Sequence, residues 1–272
     1  MQALNIGEVL RCAARRVIPR TVYSMGVDAL NGISCVVKVG YHNSFQLLNA
    51  DRGVCGTQVV ELCLPQLLHP FYVRPGTTDA SGIVQNIVRE EWGAFLPSEP
   101  IRYIVDAGAN CGDTTAWYLS KFPQAIVVAL EPDPDNYAML CKNCEPYGPR
   151  AVLLNAALWS KDAKLKVRSA MTAVAISVDE AEDDTASGCE GISMPQLLRL
   201  ANTETIDILK VDIEGAELEL FSHHPEEWLP AVRCLTVETH GPKEHEAVYS
   251  AMRPYGYLNK TYRNTHIFMR SE

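Results

Sequence analysis

No apolar run in the chain approaches the roughly 20 residues needed to cross a bilayer. The first segment also lacks the uninterrupted apolar core of a secretory leader, because Arg11, Arg15 and Arg16 break it. Positive charge is scarce: 24 Lys and Arg face 33 Asp and Glu, a formal net charge of −9. A nucleic-acid partner normally meets a basic face, so that class is disfavoured. The one basic cluster, Arg11, Arg15, Arg16 and Arg20, has roughly helical spacing and reads as a solvated helix face rather than a membrane contact. Paired metal-binding cysteines are missing too. Of nine cysteines, only Cys141 and Cys144 form a CxxC, and without a second pair they read as reduced thiols on a helix. Together these absences predict a soluble cytoplasmic protein without a membrane span or disulfide framework.

What is present suits a large α/β domain with an appendage: 47% of residues are apolar and 21% charged. Residues 1–22 read as a helix ending near Pro19. Residues 33–40 and 58–64 are β-rich and predict a small sheet or hairpin within 23–75. The stretch 70–79 reads as loop, and 80–95 as helix. From Ile101 strands and helices alternate, with strands predicted over 103–107, 125–130, 151–155, 206–211 and 232–238. Helices follow at 113–121, at Asp133-Pro134 (a cap followed by proline) and after Ser193, which with Gln196 resembles a capping box. The acidic stretch 179–191 reads as a surface loop. Strand-like runs at 257–261 and 266–270 predict a closing antiparallel hairpin. The organisation expected is an N-terminal cap over 1–99, lying against cofactor and substrate, and a doubly wound, mostly parallel sheet over 100–272.

The strongest local signal is Val105-Asp106-Ala107-Gly108-Ala109-Asn110-Cys111-Gly112-Asp113, a glycine turn between a strand and a helix. Glu131 ends the next strand 23 positions beyond Gly108, near the offset at which an acid accepts hydrogen bonds from a ribose diol. Charge discriminates between ligands. A dinucleotide would lay its pyrophosphate over the helix N-terminus, where Asp106 and Asp113 would repel it. S-adenosylmethionine offers an ammonium and a sulfonium instead, so the methyl donor is favoured over NAD.

Asp106-Ala107-Gly108-Ala109-Asn110-Cys111-Gly112, Glu131-Pro132-Asp133 and Lys210-Val211-Asp212-Ile213-Glu214-Gly215-Ala216-Glu217 together resemble the FkbM family of methyltransferases. The likeness extends to Val73-Arg74-Pro75-Gly76-Thr77-Thr78-Asp79 and Val237-Glu238-Thr239-His240, covering roughly 70 to 270. The resemblance implies a class I methyltransferase fold, Rossmann-like, with a seven-stranded mostly parallel sheet whose last strand is antiparallel. It also implies methyl transfer from S-adenosylmethionine, usually to a hydroxyl of a sugar, glycolipid or other natural product. Carboxyl or N-methylation on the same fold is the alternative, with an NAD-dependent oxidoreductase behind both.

In-line methyl transfer to an alcohol needs alignment and a proton acceptor. Ligands of open α/β sheets bind beyond the carboxyl ends of the strands, which nominates Asp212, Glu238 and His240 as catalytic residues. His240 is the expected general base, since an imidazole ordinarily titrates near 6.5. The same three residues would suit a divalent cation, an option ranked behind metal-free transfer. Asp106, Gly108, Ala109, Asn110 and Thr114 of the turn, Glu131 and Pro132 after the second strand, Asp212 and Ala157 are assigned to the cofactor. Arg74, Thr78 and Asp79 are assigned to its methionine end, where an Arg–carboxylate pair would be apt. Glu217 is read as complementing a helix dipole.

Overall fold

The computed structural model describes residues 20–53, 56–97, 100–169, 176–180 and 188–270. Helix α1 (Arg20–Asp51) opens it and breaks at Gly40, where φ is +83°. Residues 33–40, expected as strand, belong to this helix. Cys35 and Val39 are buried four positions apart and Leu47 and Ala50 extend the stripe, while Ile33 and Val37 face outward. That helical spacing outweighs the strand preference of the β-branched residues. The helix expected over 1–22 falls almost wholly outside the described residues.

Strands β1 (Val60–Leu62) and β2 (Phe71–Val73) pair antiparallel. The small hairpin is therefore present, but it takes its second strand from the stretch read as loop. The predicted helix over 80–95 is a broken one: α2 (Asp79–Gly82), a π-helical turn over Ile83–Val88 and a 3-10 turn over Glu91–Gly93.

The alternating region follows in order: β3 (Tyr103–Ala107), α3 (Asp113–Lys121), β4 (Ile126–Leu130), α4 (Pro134–Cys144), β5 (Ala151–Leu154), β6 (Ala156–Trp159), β7 (Ala163–Ser169), β8 (Ile176–Glu180), β9 (Gly188–Ser193), α5 (Met194–Leu200), β10 (Ile206–Val211), α6 (Glu217–Ser222), β11 (Val232–Glu238), α7 (Pro242–Met252), β12 (Leu258–Tyr262) and β13 (Thr265–Met269). The caps act as predicted. Asp133 accepts from the Asp135 and Asn136 amides ahead of Pro134, and Ser193 accepts from the Gln196 amide.

Seven strands form one sheet in the order β12-β13-β11-β10-β3-β4-β5. The strands from β5 to β11 run parallel, and β13 is antiparallel to both β11 and β12. This is the class I methyltransferase arrangement that the sequence resemblance implied. Successive strand residues serve opposite faces. Ile104, Val127, Ala129 and Ile208 pack with α1, α3, α4 and the small hairpin. Val105, Val128, Leu130, Leu209 and Val237 pack with α5, α6 and α7. Each fully buried aliphatic side chain of this kind is worth about 1.5–3 kcal/mol.

A second sheet, order β6-β9-β7-β8, was not foreseen. Its strands take in both ends of the acidic 179–191 stretch that was read as loop; residues 181–187 lie outside the described residues. The chain crosses from β5 to β6 at Asn155, whose side-chain amide donates to the carbonyls of Glu131 (2.8 Å) and Pro132 (3.2 Å). No disulfide links the described cysteines, and Cys141 and Cys144 are free thiols on α4. Among the described residues no helix is long and apolar enough to cross a membrane.

Candidate active site

The turn after β3 is built from the positive-φ residues Gly108 (+77°) and Asn110 (+49°). A Cβ on Gly108 would overlap the Asp212 carbonyl oxygen, so only glycine lets the two loops touch. The Gly108 and Ala109 amides both donate to the Leu130 carbonyl at 3.0 Å. The Asn110 amide donates to Glu131 Oε2 at 2.8 Å, while Asn110 Oδ1 is buried with no partner. Glu131 accepts further bonds on Oε1, from the Asp133 amide (3.0 Å) and Asn136 Nδ2 (3.4 Å). Burial nevertheless outweighs these donors and pushes its carboxyl up to about 7. Asp113, at the start of α3, accepts from the Thr114 amide and from Asn86 Nδ2. Burial lifts its carboxyl to about 6. The Thr114 hydroxyl is buried against the same carboxylate at 3.4 Å.

Asp106 was offered to a cationic ligand, but it is fully buried and its charge is matched within the protein. Thr115 Oγ1 donates to it at 2.6 Å, and Lys210 Nζ lies 3.0 Å away. The pairing follows from register, since Lys210 on β10 stands opposite Asp106 on β3. Lys210 is itself 2% exposed; its ammonium donates to the Gly108 carbonyl and lies 5.0 Å over the Trp92 ring. Burial works against that charge, but the nearby Asp106 and Asp212 carboxylates outweigh it and raise the pKa.

Arg74 and Asp79 satisfy each other. Arg74 Nε and Nη2 donate to the two Asp79 oxygens at 2.9 and 2.8 Å, and Nη2 also reaches Asn136 Oδ1 at 2.7 Å. This brace ties the upstream loop to α4 and engages Nε and Nη2 of the guanidinium expected at a methionine carboxylate. Thr78 precedes α2 without a side-chain cap bond, and Thr77 supplies the local bonds instead. Ala157 sits in β6 opposite Gly191 and packs with Trp159, Leu165 and Cys189. Pro132 lies at the corner that Asn155 holds.

Beyond the ends of β10 and β11, one ligand atom each from Asp212, Glu238 and His240 lie within 4.8 Å of one another. His240 Nδ1 donates to Glu217 Oε1 at 2.8 Å; its Nε2 is 3.4 Å from Glu214 and 3.6 Å from Asp212. Burial alone would lower the imidazole pKa. The Glu217 hydrogen bond and the charges of Glu217, Glu214 and Asp212 together outweigh it, and the pKa rises to about 9. That is well above the ordinary imidazole value near 6.5 on which the general-base expectation for His240 draws. Burial also raises the Glu214 and Glu238 carboxyls.

Residues 106–259 match the Methyltransferase FkbM domain. The chain belongs to the FkbM methyltransferase family. It is 32% identical over 185 residues to Methyltransferase sdnD of Sordaria araneosa, covering 55% of this chain and 70% of that one. It is 26% identical over 158 residues to Methyltransferase 1 of Beauveria bassiana (strain ARSEF 2860), covering 50% of this chain and 64% of that one. The solved Methyltransferase FkbM from Methylobacillus flagellatus KT aligns at 15% identity with a TM-score of 0.47. That alignment covers 65% of this chain and 45% of that one.

The span matched to the FkbM domain contains Asp106, Glu131, Asp212, Glu238 and His240, and leaves Arg74, Thr78 and Asp79 outside. Two residues of this candidate site have no site role in the sequence reading. Lys210 carried a signal, because a lysine inside a strand buried on both faces needs a buried counter-charge. Glu217 carried none. Only the fold brings the start of α6 behind His240.

Proposed function

We propose that this FkbM methyltransferase transfers the methyl group of S-adenosylmethionine to a hydroxyl of a small molecule or glycan. The observation carrying this reading is that Asp212 joins the two halves of the site. Its backbone amide donates to the Ala107 carbonyl (3.1 Å) and its carbonyl packs on Gly108, while its carboxylate faces His240. The turn suits a phosphate-free ligand. The Gly108, Ala109 and Asn110 amides, which a pyrophosphate would recruit, are already bonded within the protein. Asn110 Oδ1 remains an unpaired acceptor for a donor such as an ammonium, and Glu131 for a ribose diol.

When bound, S-adenosylmethionine supplies an electrophilic methyl: the acceptor oxygen forms a C–O bond, the C–S bond breaks with its electrons on sulfur, and the hydroxyl proton leaves. Asp212 and Glu238 form the acceptor end and receive that proton. His240, anchored by the buried Glu217, fixes the Asp212 carboxylate. Oriented groups of this kind contribute about 10²–10⁴-fold to rate.

Calorimetry tests the donor. S-adenosylmethionine and S-adenosylhomocysteine bind, and NAD does not; NAD binding alone overturns the reading. Glu131→Ala weakens S-adenosylmethionine binding by about 1.5–3 kcal/mol, and an unchanged affinity removes Glu131 from the ribose. Release of S-adenosylhomocysteine on a panel of sugars, polyols and phenols then identifies the acceptor.

The titration of Glu131 adds a pH dependence. Its folded pKa is raised from 4.5 to about 7, so its contribution to stability is fully present below 4.5 and is lost as pH rises through 7. A diol donates to the ionised form, so ligand affinity runs the opposite way and increases from pH 6 to 8. Binding at pH 6.5 should release a proton, seen as different heats in buffers of different ionisation enthalpy. A dissociation constant flat across that range would show that Glu131 does not meet the ligand.

A further inference from the structure

The geometry points to a divalent-cation site at the strand-end cluster, with Asp212, Glu238 and His240 as protein ligands and Glu217 orienting the imidazole. The inference deepens the methyl-transfer reading and rests on it for its role, because the cation would hold the acceptor oxygen at the same place. The three ligand atoms already lie within 4.8 Å of one another. An octahedral ion with bonds near 2.1 Å sets its ligands about 3 Å apart in cis and about 4.2 Å in trans. The three side chains would draw together by rotation to close on such an ion.

Two carboxylate oxygens and one imidazole nitrogen suit magnesium or manganese, with water and acceptor oxygen completing the shell. A mere ion pair would need one acid beside the histidine. Here Asp212, Glu214 and Glu217 all approach the ring, and Glu238 completes the cluster. The buried Lys210 lies closer to Asp106 (3.0 Å) than to Asp212 (3.9 Å). Glu217 is the decisive neighbour. It is fully buried, its Oε2 accepts from the Gly215 amide at 3.0 Å, and its Oε1 holds Nδ1, which directs Nε2 toward Asp212. A carboxylate behind the distal nitrogen is the usual support of a metal-bound imidazole. The bound cation would lower the pKa of a coordinated acceptor hydroxyl.

The test is Mn²⁺ binding to the full chain after removal of metals with a chelator, read by loss of the free-ion EPR signal. One Mn²⁺ per chain is expected, displaced by excess Mg²⁺. Asp212→Asn and Glu238→Gln should each weaken binding by about 10-fold or more, and Glu217→Gln by about 10–100-fold with the ligands themselves intact. Wild-type protein that takes up no stoichiometric Mn²⁺ overturns the proposal without recourse to any variant. So does unchanged affinity in the folded Asp212→Asn/Glu238→Gln double variant. A parallel calorimetric titration separates the two readings: S-adenosylmethionine binding without Mn²⁺ binding removes only the cation. Mn²⁺ binding without S-adenosylmethionine binding keeps the site and removes the methyl donor.

Discussion

Lys210→Met should lower the folding stability by about 3–5 kcal/mol, the range for removing one partner of a buried ion pair. The Lys210 side chain is 3% exposed and the Asp106 side chain 0%. Without the ammonium, the Asp106 carboxylate keeps Thr115 Oγ1 but loses its counter-charge, and the Gly108 carbonyl loses a donor. Methionine fills the volume over Trp92, so the loss reports charge rather than a cavity. Urea unfolding measures it, and a melting temperature lower by roughly 10 °C is the thermal counterpart for a chain of this size. Adding Asp106→Asn to Lys210→Met should return much of the loss, because an amide needs no counter-charge in the sheet. A single-variant cost under about 1 kcal/mol would mean that solvent reaches the pair. Because the Lys210 ammonium also supports the Gly108 turn, weaker S-adenosylmethionine binding should accompany the lost stability.

The same pair shows where sequence reading reaches and where it stops. The strand–turn–helix from Tyr103 to Lys121, the Asp133 and Ser193 caps and the closing hairpin were all legible, because each is written in neighbouring residues. Asp106 was visible as an acid before a glycine, and the sequence offered it to a ligand. What it could not show was that register sets Lys210 opposite, so that the protein supplies the cation itself. Arg74 repeats the lesson, since Asp79, only five residues on, engages its Nε and Nη2 within the protein. At residues 33–40 the β-branched run suggested a strand, and only burial at Cys35 and Val39 against the hairpin side of the core reveals the helix. The second sheet was missed for a related reason. The apolar run 151–159 is divided between two sheets at Asn155, a corner held by bonds to residues 131 and 132. His240 was placed correctly beyond β11, but its titration depends on Glu217 at the start of α6 and on Glu214 and Asp212 after β10.

Asp212→Asn should reduce turnover by about 10²–10⁴-fold on whichever hydroxyl acceptor the wild type methylates, with S-adenosylmethionine affinity within a few-fold of normal. The reason is the division of labour inside this residue. Its backbone serves the cofactor turn, through the amide bond to Ala107 and the carbonyl against Gly108. An amide side chain leaves both untouched. Its carboxylate is the part that faces His240 at 3.6 Å and belongs to the acceptor-side cluster with Glu238. Asparagine has nearly the same shape but neither accepts a proton nor carries the negative charge. The loss should therefore fall on kcat with the cofactor saturating, and excess S-adenosylmethionine should not recover it. The opposite pattern would also be informative. Weakened cofactor binding with near-normal kcat would move the Asp212 side chain to the cofactor half of the cleft and leave Glu238 as the proton acceptor.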